Sequence, residues 1–398
     1  MTAHNDAPPP SSSASIADSA DSDAPDAAAA LARLIRQQIQ QAGGWLGFDR
    51  FMELALYAPG LGYYSNRRPK FGLMPGGKDG GSDFVTAPEL SPLFGEAVAA
   101  QVGQALAATG TATVFEFGAG TGALAEQLLK ALGERVARYC IVDLSGTLRE
   151  RQARRLAPWG DKVVWLDRLP ERFEGVVVGN ELLDAMPVQL LHFDGGQWQE
   201  RGVVVDAAGG FAYADRPTTL RPPLDTGASG EGDGDAAHYP PGYVTELHAQ
   251  GEAFVRTLAA SLQRGAIFLL DYGFPEREYY HPQRRGGTVM CHHQHRSDPD
   301  PLVLLGEKDI TAHVNFSAIA LAGQQAGLTV LGYTSQANFL INCGLIDLLC
   351  HADLPQRAMA HKLLTEHEMG ELFKVIGFAT GDGFDALGFA AGDRSHTL

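Results

Sequence analysis

A glycine-rich segment, Glu116-Phe-Gly-Ala-Gly-Thr-Gly122, limits what this chain can fold into more than any other feature of its sequence. An apolar run from Thr113 to Phe117 leads into it and predicts a β-strand, while the amphipathic run from Thr121 to Leu132 predicts a helix. Glycines between a strand and a helix permit a tight turn and let a ligand approach the backbone closely, beside the unpaired N–H groups of the helix. The segment therefore predicts a ligand-binding loop in an α/β fold.

Strands and helices continue to alternate after this loop. Ser145 is a suitable N-cap for a helix that ends near Leu156. Apolar runs predict four more strands, at Tyr139 to Val142, Val163 to Leu166, Gly175 to Val178 and Ala266 to Leu270. Such alternation is typical of a parallel sheet with helices on both faces, so the predicted fold class is α/β with a Rossmann-like central sheet.

The length of 398 residues predicts more than one structural unit. Residues 1–28 are mainly Ala, Ser, Pro and Asp, a composition typical of a disordered tail. Predicted helices at 31–42, 48–56 and 92–107, with a mobile loop at 65–82, indicate an N-terminal helical cap over 29–108. The Rossmann-like domain is expected at 109–280, with a flexible insertion at about 206–240, and residues 281–398 are expected to complete the core and the substrate side.

The composition argues against two classes of protein, those that bind nucleic acid and those that insert into a membrane. A formal net charge of -16 argues against nucleic-acid binding, which relies on basic patches, and no apolar run reaches the length that membrane insertion requires. The four cysteines are scattered, and the first 30 residues hold neither Arg nor Lys nor an apolar stretch of signal-peptide type. These features predict a cytoplasmic protein with reduced cysteines, and they leave a homodimer open.

The glycine loop alone fits either a dinucleotide or S-adenosylmethionine. Glu116 ends the first strand, and its carboxylate suits the amino group of S-adenosylmethionine but is unfavourable beside a pyrophosphate. Asp143 ends the second strand, where it can accept both ribose hydroxyls, and Asp167 ends the third, where it contacts the adenine amino group or merely caps a turn. S-adenosylmethionine is the predicted cofactor, and an NAD(P)-dependent oxidoreductase remains the alternative. The predicted cofactor-binding residues are Glu116, Gly118, Gly120, Gly122, Asp143, Asp167 and Asn180.

An acidic motif, Gly179-Asn-Glu-Leu-Leu-Asp-Ala-Met-Pro187, follows the strand that ends at Val178. Ligands in open α/β sheets lie off the carboxyl ends of the strands, so Asn180 and Glu181 are expected over the cofactor loop. Glu181 and Asp184 are three residues apart and would share one face of a helical turn. Two converging carboxylates suit a cationic acceptor such as a guanidinium, which makes Glu181 and Asp184 the predicted catalytic residues. The alternative is a capping Asn on a solvated acidic turn.

Three further groups have competing interpretations. Asp271-Tyr272-Gly273 follows a strand and either lines the acceptor pocket or forms a plain turn. The run Cys291-His-His-Gln-His295 has no matching Cys/His pair at zinc spacing, so no metal is predicted. The aromatic residues Tyr57, Tyr63, Tyr64 and Phe71 are interpreted as packing.

Six segments in fixed order resemble the MidA-like family of S-adenosylmethionine-dependent methyltransferases, which includes the mitochondrial complex I assembly-factor methyltransferase. They are Phe51 to Tyr64, Asp83 to Ser91, the glycine loop, Gly179 to Pro187, Asp271 to Gly273, and Asp309-Ile-Thr-Ala-His-Val-Asn-Phe316. The resemblance covers about residues 30–385.

The resemblance implies a class I methyltransferase fold with an added helical and mixed subdomain on the substrate side. It also implies a protein arginine acceptor, on a subunit of respiratory complex I in the mitochondrial relatives. Glu89, Asp271 and Tyr272 are the expected acceptor-binding residues. A non-catalytic assembly factor that keeps the fold remains a second alternative.

Overall fold

The structure is a computed structural model that describes residues 24–66, 85–143, 146–223, 235, 238–294 and 296–398. Its strands are β1 (Leu46–Gly47), β2 (Thr113–Phe117), β3 (Arg138–Val142), β4 (Val163–Leu166), β5 (Phe173–Asn180), β6 (Gln189–Phe193), β7 (Trp198–Val205), β8 (Phe211–Pro217), β9 (Tyr243–Leu247), β10 (Leu262–Phe274), β11 (Met290–His293), β12 (Arg296–Asp298), β13 (Asp309–Thr311), β14 (Val314–Asn315), β15 (Thr329–Ser335) and β16 (Phe373–Ala379).

The α-helices of the described residues are α1 (Ala24–Gln41), α2 (Phe48–Tyr57), α3 (Ala87–Leu90), α4 (Pro92–Thr109), α5 (Ala123–Leu132), α6 (Gly146–Leu156), α7 (Ala249–Ser261), α8 (Glu276–Tyr279), α9 (Phe316–Gln325), α10 (Gln336–Asn342), α11 (Leu345–His351) and α12 (Leu354–Leu364). Local chemistry fixes several ends. Ser91 caps α4 by accepting the N–H of Leu93, and Gly110, in the left-handed conformation, ends that helix. Asn315 caps α9 through the N–H of Ala318.

A large central sheet has the strand order β15-β16-β10-β5-β2-β3-β4, with β14 paired to β10. Strands β10, β5, β2, β3 and β4 run parallel, and β16 is antiparallel to both β10 and β15. Helices α4 and α5 contribute to the apolar layer on one face, and α7 and α9 contribute to the layer on the other. The α/β class and the five predicted strands are confirmed, and the carboxyl ends of the parallel strands meet at one edge.

A second unit is built from the N-terminal helices and a small antiparallel sheet. That sheet has the order β1-β7-β6-β9, with β8 on β7, and α1 and α2 share a core with it. Strands β11, β12 and β13 form a three-stranded sheet, and Ile310 of β13 joins the same core. No helix in the described part of the chain is long and apolar enough to cross a membrane.

The structure differs from the expected division of the chain at three places. Helix α1 begins at Ala24, inside the expected tail of residues 1–28, because its apolar side chains pack into the core shared with α2. Strand β8 lies inside the expected insertion, where seven residues pair with β7. Helix α4 was expected in the cap but packs on the central sheet, because apolar residues occur along its whole length and are buried there. Expectations for Phe71, Ser145 and most of 65–82 and 225–235 fall outside the described residues.

Candidate functional site

A cavity of about 1190 Å³ lies at the carboxyl edge of the central sheet. It is bounded by the loops that follow β2, β3, β4 and β5, and on the opposite side by residues of α2, β11 and β13. Ten of the twelve predicted site residues line it: Glu89, Glu116, Gly118, Gly120, Asp143, Asp167, Asn180, Glu181, Asp184 and Tyr272. Gly122 and Asp271 do not line the cavity. Each lies one layer away and holds a segment that does line it.

The glycine loop has the backbone geometry that its sequence predicts. Gly118, Gly120 and Gly122 all have positive φ, at 64°, 53° and 83°. A Cβ added at Gly118 would lie 3.2 Å from Leu182 Cδ1. Helix α5 starts directly after Gly122 with no side-chain cap, so its first N–H groups are left for a ligand. Gly122 faces Gln152 and makes the turn rather than the cavity wall.

Asp143 is held in place by a side chain that no sequence pattern indicates. Gln152 of α6 is fully buried, and its Nε2 donates to Asp143 Oδ2 at 2.7 Å and to the carbonyl of Gly120 at 2.9 Å. Its Oε1 accepts from Trp165 Nε1 at 2.9 Å. One amide therefore fixes both the glycine loop and the carboxylate predicted to bind the ribose.

The other two predicted acids differ from each other in environment. Glu116 is buried, and its Oε2 accepts the hydroxyl of Tyr139 at 2.6 Å. Burial raises its pKa to about 7, against the lowering effect of the Tyr139 hydrogen bond. Asp167 lies at the exposed rim, where Arg149 Nη1 contacts its Oδ1 at 2.7 Å. The open glycine loop and the carboxylates of Glu116 and Asp143 fit the amino and ribose groups of S-adenosylmethionine.

The acidic motif forms a strained turn. Glu181 has a φ of 50°, which is uncommon for a residue with a side chain. The turn is not helical, because the N–H groups of Leu182, Leu183 and Asp184 all point at one carboxylate oxygen, Oδ2 of Asp271, at 3.0, 2.8 and 3.2 Å. Asp271, expected to contact the acceptor, is therefore a positioning residue for this turn.

Three other segments hold the carbonyl groups of the same turn. His248 Nε2 lies 2.8 Å from the carbonyl of Leu183, and burial lowers the pKa of His248 to about 4, so its ring is neutral and can donate there. The N–H of Ala312 donates to the carbonyl of Asp184 at 2.9 Å. The hydroxyl of Tyr57 donates to the carbonyl of Ala185 at 2.8 Å. Contacts from α2, the start of α7 and the β13–β14 connection thus offset the strain at Glu181.

Glu181 and Asp184 both line the cavity, and Asn180 Nδ2 donates to Glu181 Oε1 at 3.1 Å. Burial and the charge of Asp184 raise the pKa of Glu181 to about 8. Burial raises the pKa of Asp184 to about 6, opposed by the hydroxyl of Tyr272, which donates to Asp184 Oδ2 at 2.7 Å. Among the described residues, Asp184 Oδ1 and Asn180 Oδ1 are buried without a hydrogen-bond partner. Of the described lining residues, Arg168 is the only Arg or Lys. The site can therefore accept a cationic group with several donors.

The acceptor side of the cavity also contains residues that were predicted only to pack or were given no role. Tyr57 and Tyr64 stack with their ring centroids 5.5 Å apart, and both line the cavity. The Tyr64 hydroxyl contacts both carboxylate oxygens of Asp309 at 2.9 Å. His292 and His313 also line the cavity. The motif from Asp309 to Phe316 is the sequence signal for this side of the cavity. It contributes to the family resemblance, but no site residue was predicted from it. Within the described ranges, no group of three or more His, Cys, Asp or Glu side chains could hold a metal ion.

Comparison with known proteins agrees with this geometry. A glycine-loop cavity at the carboxyl edge of a Rossmann-like sheet, with Glu116 near the end of β2 and Asp143 directly after β3, is typical of a class I methyltransferase. The model of a family of S-adenosyl-L-methionine-dependent methyltransferases matches residues 96–334, and the chain belongs to this family. The chain is an S-adenosylmethionine-dependent methyltransferase, and neither the oxidoreductase nor the non-catalytic alternative is supported.

The chain is similar to a Burkholderia thailandensis protein whose crystal structure holds S-adenosyl-homocysteine. The two are 53% identical, with a TM-score of 0.87, over 94% of this chain and 98% of that one. The chain is also similar to the mitochondrial protein arginine methyltransferase NDUFAF7 homolog of Drosophila melanogaster, at 28% identity over 83% of this chain and 80% of the relative. The Danio rerio protein arginine methyltransferase NDUFAF7 is 27% identical over 84% and 83%.

Proposed function

We propose that this methyltransferase transfers the methyl group to an arginine side chain of a protein. The observation that carries the proposal is the pair of carboxylates, Glu181 and Asp184, in the cavity that also holds the glycine loop, with Asp184 Oδ1 buried without a hydrogen-bond partner. A guanidinium has five N–H donors in a planar fork and keeps its charge at any physiological pH. It supplies the charge and the donors that this pair lacks. The relatives named as protein arginine methyltransferases support the same acceptor, and a complex I subunit is the acceptor that the family resemblance suggests.

The residues of the chain contribute mainly position and electrostatics. When bound, the cofactor supplies an activated methyl group, so no nucleophilic side chain is needed. Glu181 and Asp184 would hold the guanidinium, and the rings of Tyr57 and Tyr272 would wall it off from water. Transfer forms one N–C bond, breaks the C–S bond and releases one proton from the acceptor nitrogen. Glu181 and Asp184 are the carboxylates that line the cavity at this turn, so they are the groups placed to accept that proton or pass it to water.

The test is a methyl-acceptor assay in extract from a strain that lacks the protein, with mass spectrometry of the labelled product. Glu181→Gln keeps the shape and removes the charge, and Glu174→Gln makes the same change at a half-exposed carboxylate on β5, near the opposite edge of the sheet. A charge-assisted hydrogen bond is worth roughly 1.5–3 kcal/mol, which corresponds to a loss of about tenfold or more. We expect that loss in Glu181→Gln alone, with unchanged affinity for S-adenosyl-homocysteine.

Two results would count against arginine as the acceptor. Label found only on lysine or on small neutral molecules would exclude it while leaving the methyltransferase activity standing. Full transfer by Glu181→Gln would show that this carboxylate shapes the turn without binding the acceptor.

A further inference from the structure

A cluster of four side chains joins three helices at the glycine-loop end of the cavity. Arg155 of α6 donates from Nη1 to Glu89 Oε1 at 2.9 Å and to Thr121 Oγ1 at 2.7 Å. Its Nε donates to Glu126 Oε2 at 2.7 Å. The hydroxyl of Thr121 in turn donates to Glu89. Arg155 thus connects α3, the glycine loop and α5 through one guanidinium.

Two members of the cluster face the cavity, and Arg155 stands behind them. Glu89 and Thr121 belong to the lining, whereas Arg155 and Glu126 do not. The Glu89 side chain is 12% exposed, and among the described residues Arg155 is its one ion-pair partner. Glu89, expected from the family motif to bind the acceptor, is therefore placed beside the glycine loop. There its carboxylate is already engaged by Thr121 and Arg155.

A second contact ties the same stretch of chain to α5. Gln127 Nε2 donates to the carbonyl of Pro88 at 2.7 Å, and its Oε1 accepts the N–H of Gly95 at 3.1 Å. The cavity wall formed by residues 85, 86, 88 and 89 is thereby attached to α5 at two points. Gln127 carries no charge, so only the Arg155 contact changes the electrostatics of the wall.

We propose that Arg155 is a positioning residue for the cofactor, acting through Glu89 and Thr121. It neutralises the one ion-paired carboxylate of this wall, and it keeps the Thr121 hydroxyl directed at Glu89 beside a helix start that has no side-chain cap. Without Arg155, Glu89 would be a poorly solvated, uncompensated anion next to the loop. Because the amino group at the amino-acid end of the ligand is assigned to Glu116, a second anion at Glu89 would meet the carboxylate of that end and weaken the binding of S-adenosylmethionine and S-adenosyl-homocysteine.

The experiment is calorimetric titration of the full chain with S-adenosyl-homocysteine. We expect Arg155→Met to bind about tenfold more weakly than the wild type. Arg154→Met, an exposed neighbour on the same helix, makes the same change in net charge and should leave the affinity within twofold. Adding Glu89→Gln to Arg155→Met removes the uncompensated anion and should recover most of the affinity, a rescue that a purely structural role does not predict.

Unchanged affinity in Arg155→Met, or an equal loss in Arg154→Met, would overturn the proposal. So would a lower melting temperature of the ligand-free Arg155→Met protein with no recovery in the double variant. Should Arg155→Met not fold, Arg155→Lys keeps the charge but has a single nitrogen for three acceptors. It is expected to lose about threefold in affinity, and wild-type affinity in that variant would contradict the bridging role.

Discussion

The ionisation of Glu181 should be visible in the stability of the ligand-free protein. Burial and the Asp184 charge raise the pKa of Glu181 to about 8, from an ordinary value of 4.5. A carboxyl with a higher pKa in the folded state than in the unfolded state holds its proton more tightly when folded. Its stabilising contribution is therefore complete below pH 4.5 and is lost as the pH rises toward about 8.

The size of the effect follows from the shift in pKa. One pKa unit corresponds to about 1.4 kcal/mol. The full shift therefore sets an upper limit of about 5 kcal/mol on the contribution of Glu181 to the free energy of unfolding. Glu181 is only partly shielded from solvent, and solvent screening weakens such effects. We expect about 1–2 kcal/mol to be realised. Glu181→Gln has no proton to lose and should not show this loss.

The assay is urea unfolding at pH 5, 6.5 and 8 and constant ionic strength, for the wild type, Glu181→Gln and the control Glu174→Gln. Between pH 5 and pH 8 the wild type should lose about 1–2 kcal/mol relative to Glu181→Gln, while Glu174→Gln follows the wild type. Parallel profiles for the wild type and Glu181→Gln would refute the reasoning. They would mean that this carboxyl ionises in the folded protein as readily as in the unfolded chain.

Two further substitutions test the two ends of the cavity. Gly120→Val should abolish calorimetric binding of S-adenosyl-homocysteine, because a branched side chain at a φ of 53° strains the loop and occupies the ligand space, and retained affinity would contradict the assigned cofactor site. Asp271→Ala should lower the free energy of unfolding by about 3 kcal/mol or more, because it leaves three backbone N–H groups of the acidic turn without their acceptor. A loss below about 1 kcal/mol in urea unfolding would show that the turn does not depend on Asp271.

The cofactor half of the site was predictable because its determinants are local in sequence. The strand before Gly118, the helix after Gly122 and the acid at the end of the next strand all follow from short patterns of apolar and glycine residues. In a parallel sheet, the loops that follow the strands all lie at the carboxyl edge, so these local patterns also place the site. Gln152 escaped prediction because a buried glutamine inside an otherwise polar helix leaves no such pattern.

The acceptor half depends on contacts between distant segments, which single-sequence patterns do not report. Tyr57 lies 128 residues before the carbonyl it contacts, and Asp271 lies 87 to 89 residues after the N–H groups it accepts. The spacing of Glu181 and Asp184 suggested a helical turn, yet the carboxylate of Asp271 replaces helical hydrogen bonds as the acceptor for three successive N–H groups. The two carboxylates still reach one cavity, although by a different backbone route.

The division of the site into two halves has a physical consequence. The glycine loop is held by Gln152 within the central sheet and its helices. The turn at Glu181 is held partly from the same sheet and its helices, by Asp271 of β10 and His248 before α7, and partly by Ala312 and Tyr57. Tyr57 belongs to the N-terminal unit, whose core also contains Ile310 of β13. Docking of this unit on the central sheet therefore adds the Tyr57 contact to those from Asp271 and His248, so the strained turn at Glu181 has all of its hydrogen bonds only in the assembled fold, while the cofactor loop is held within the sheet domain itself.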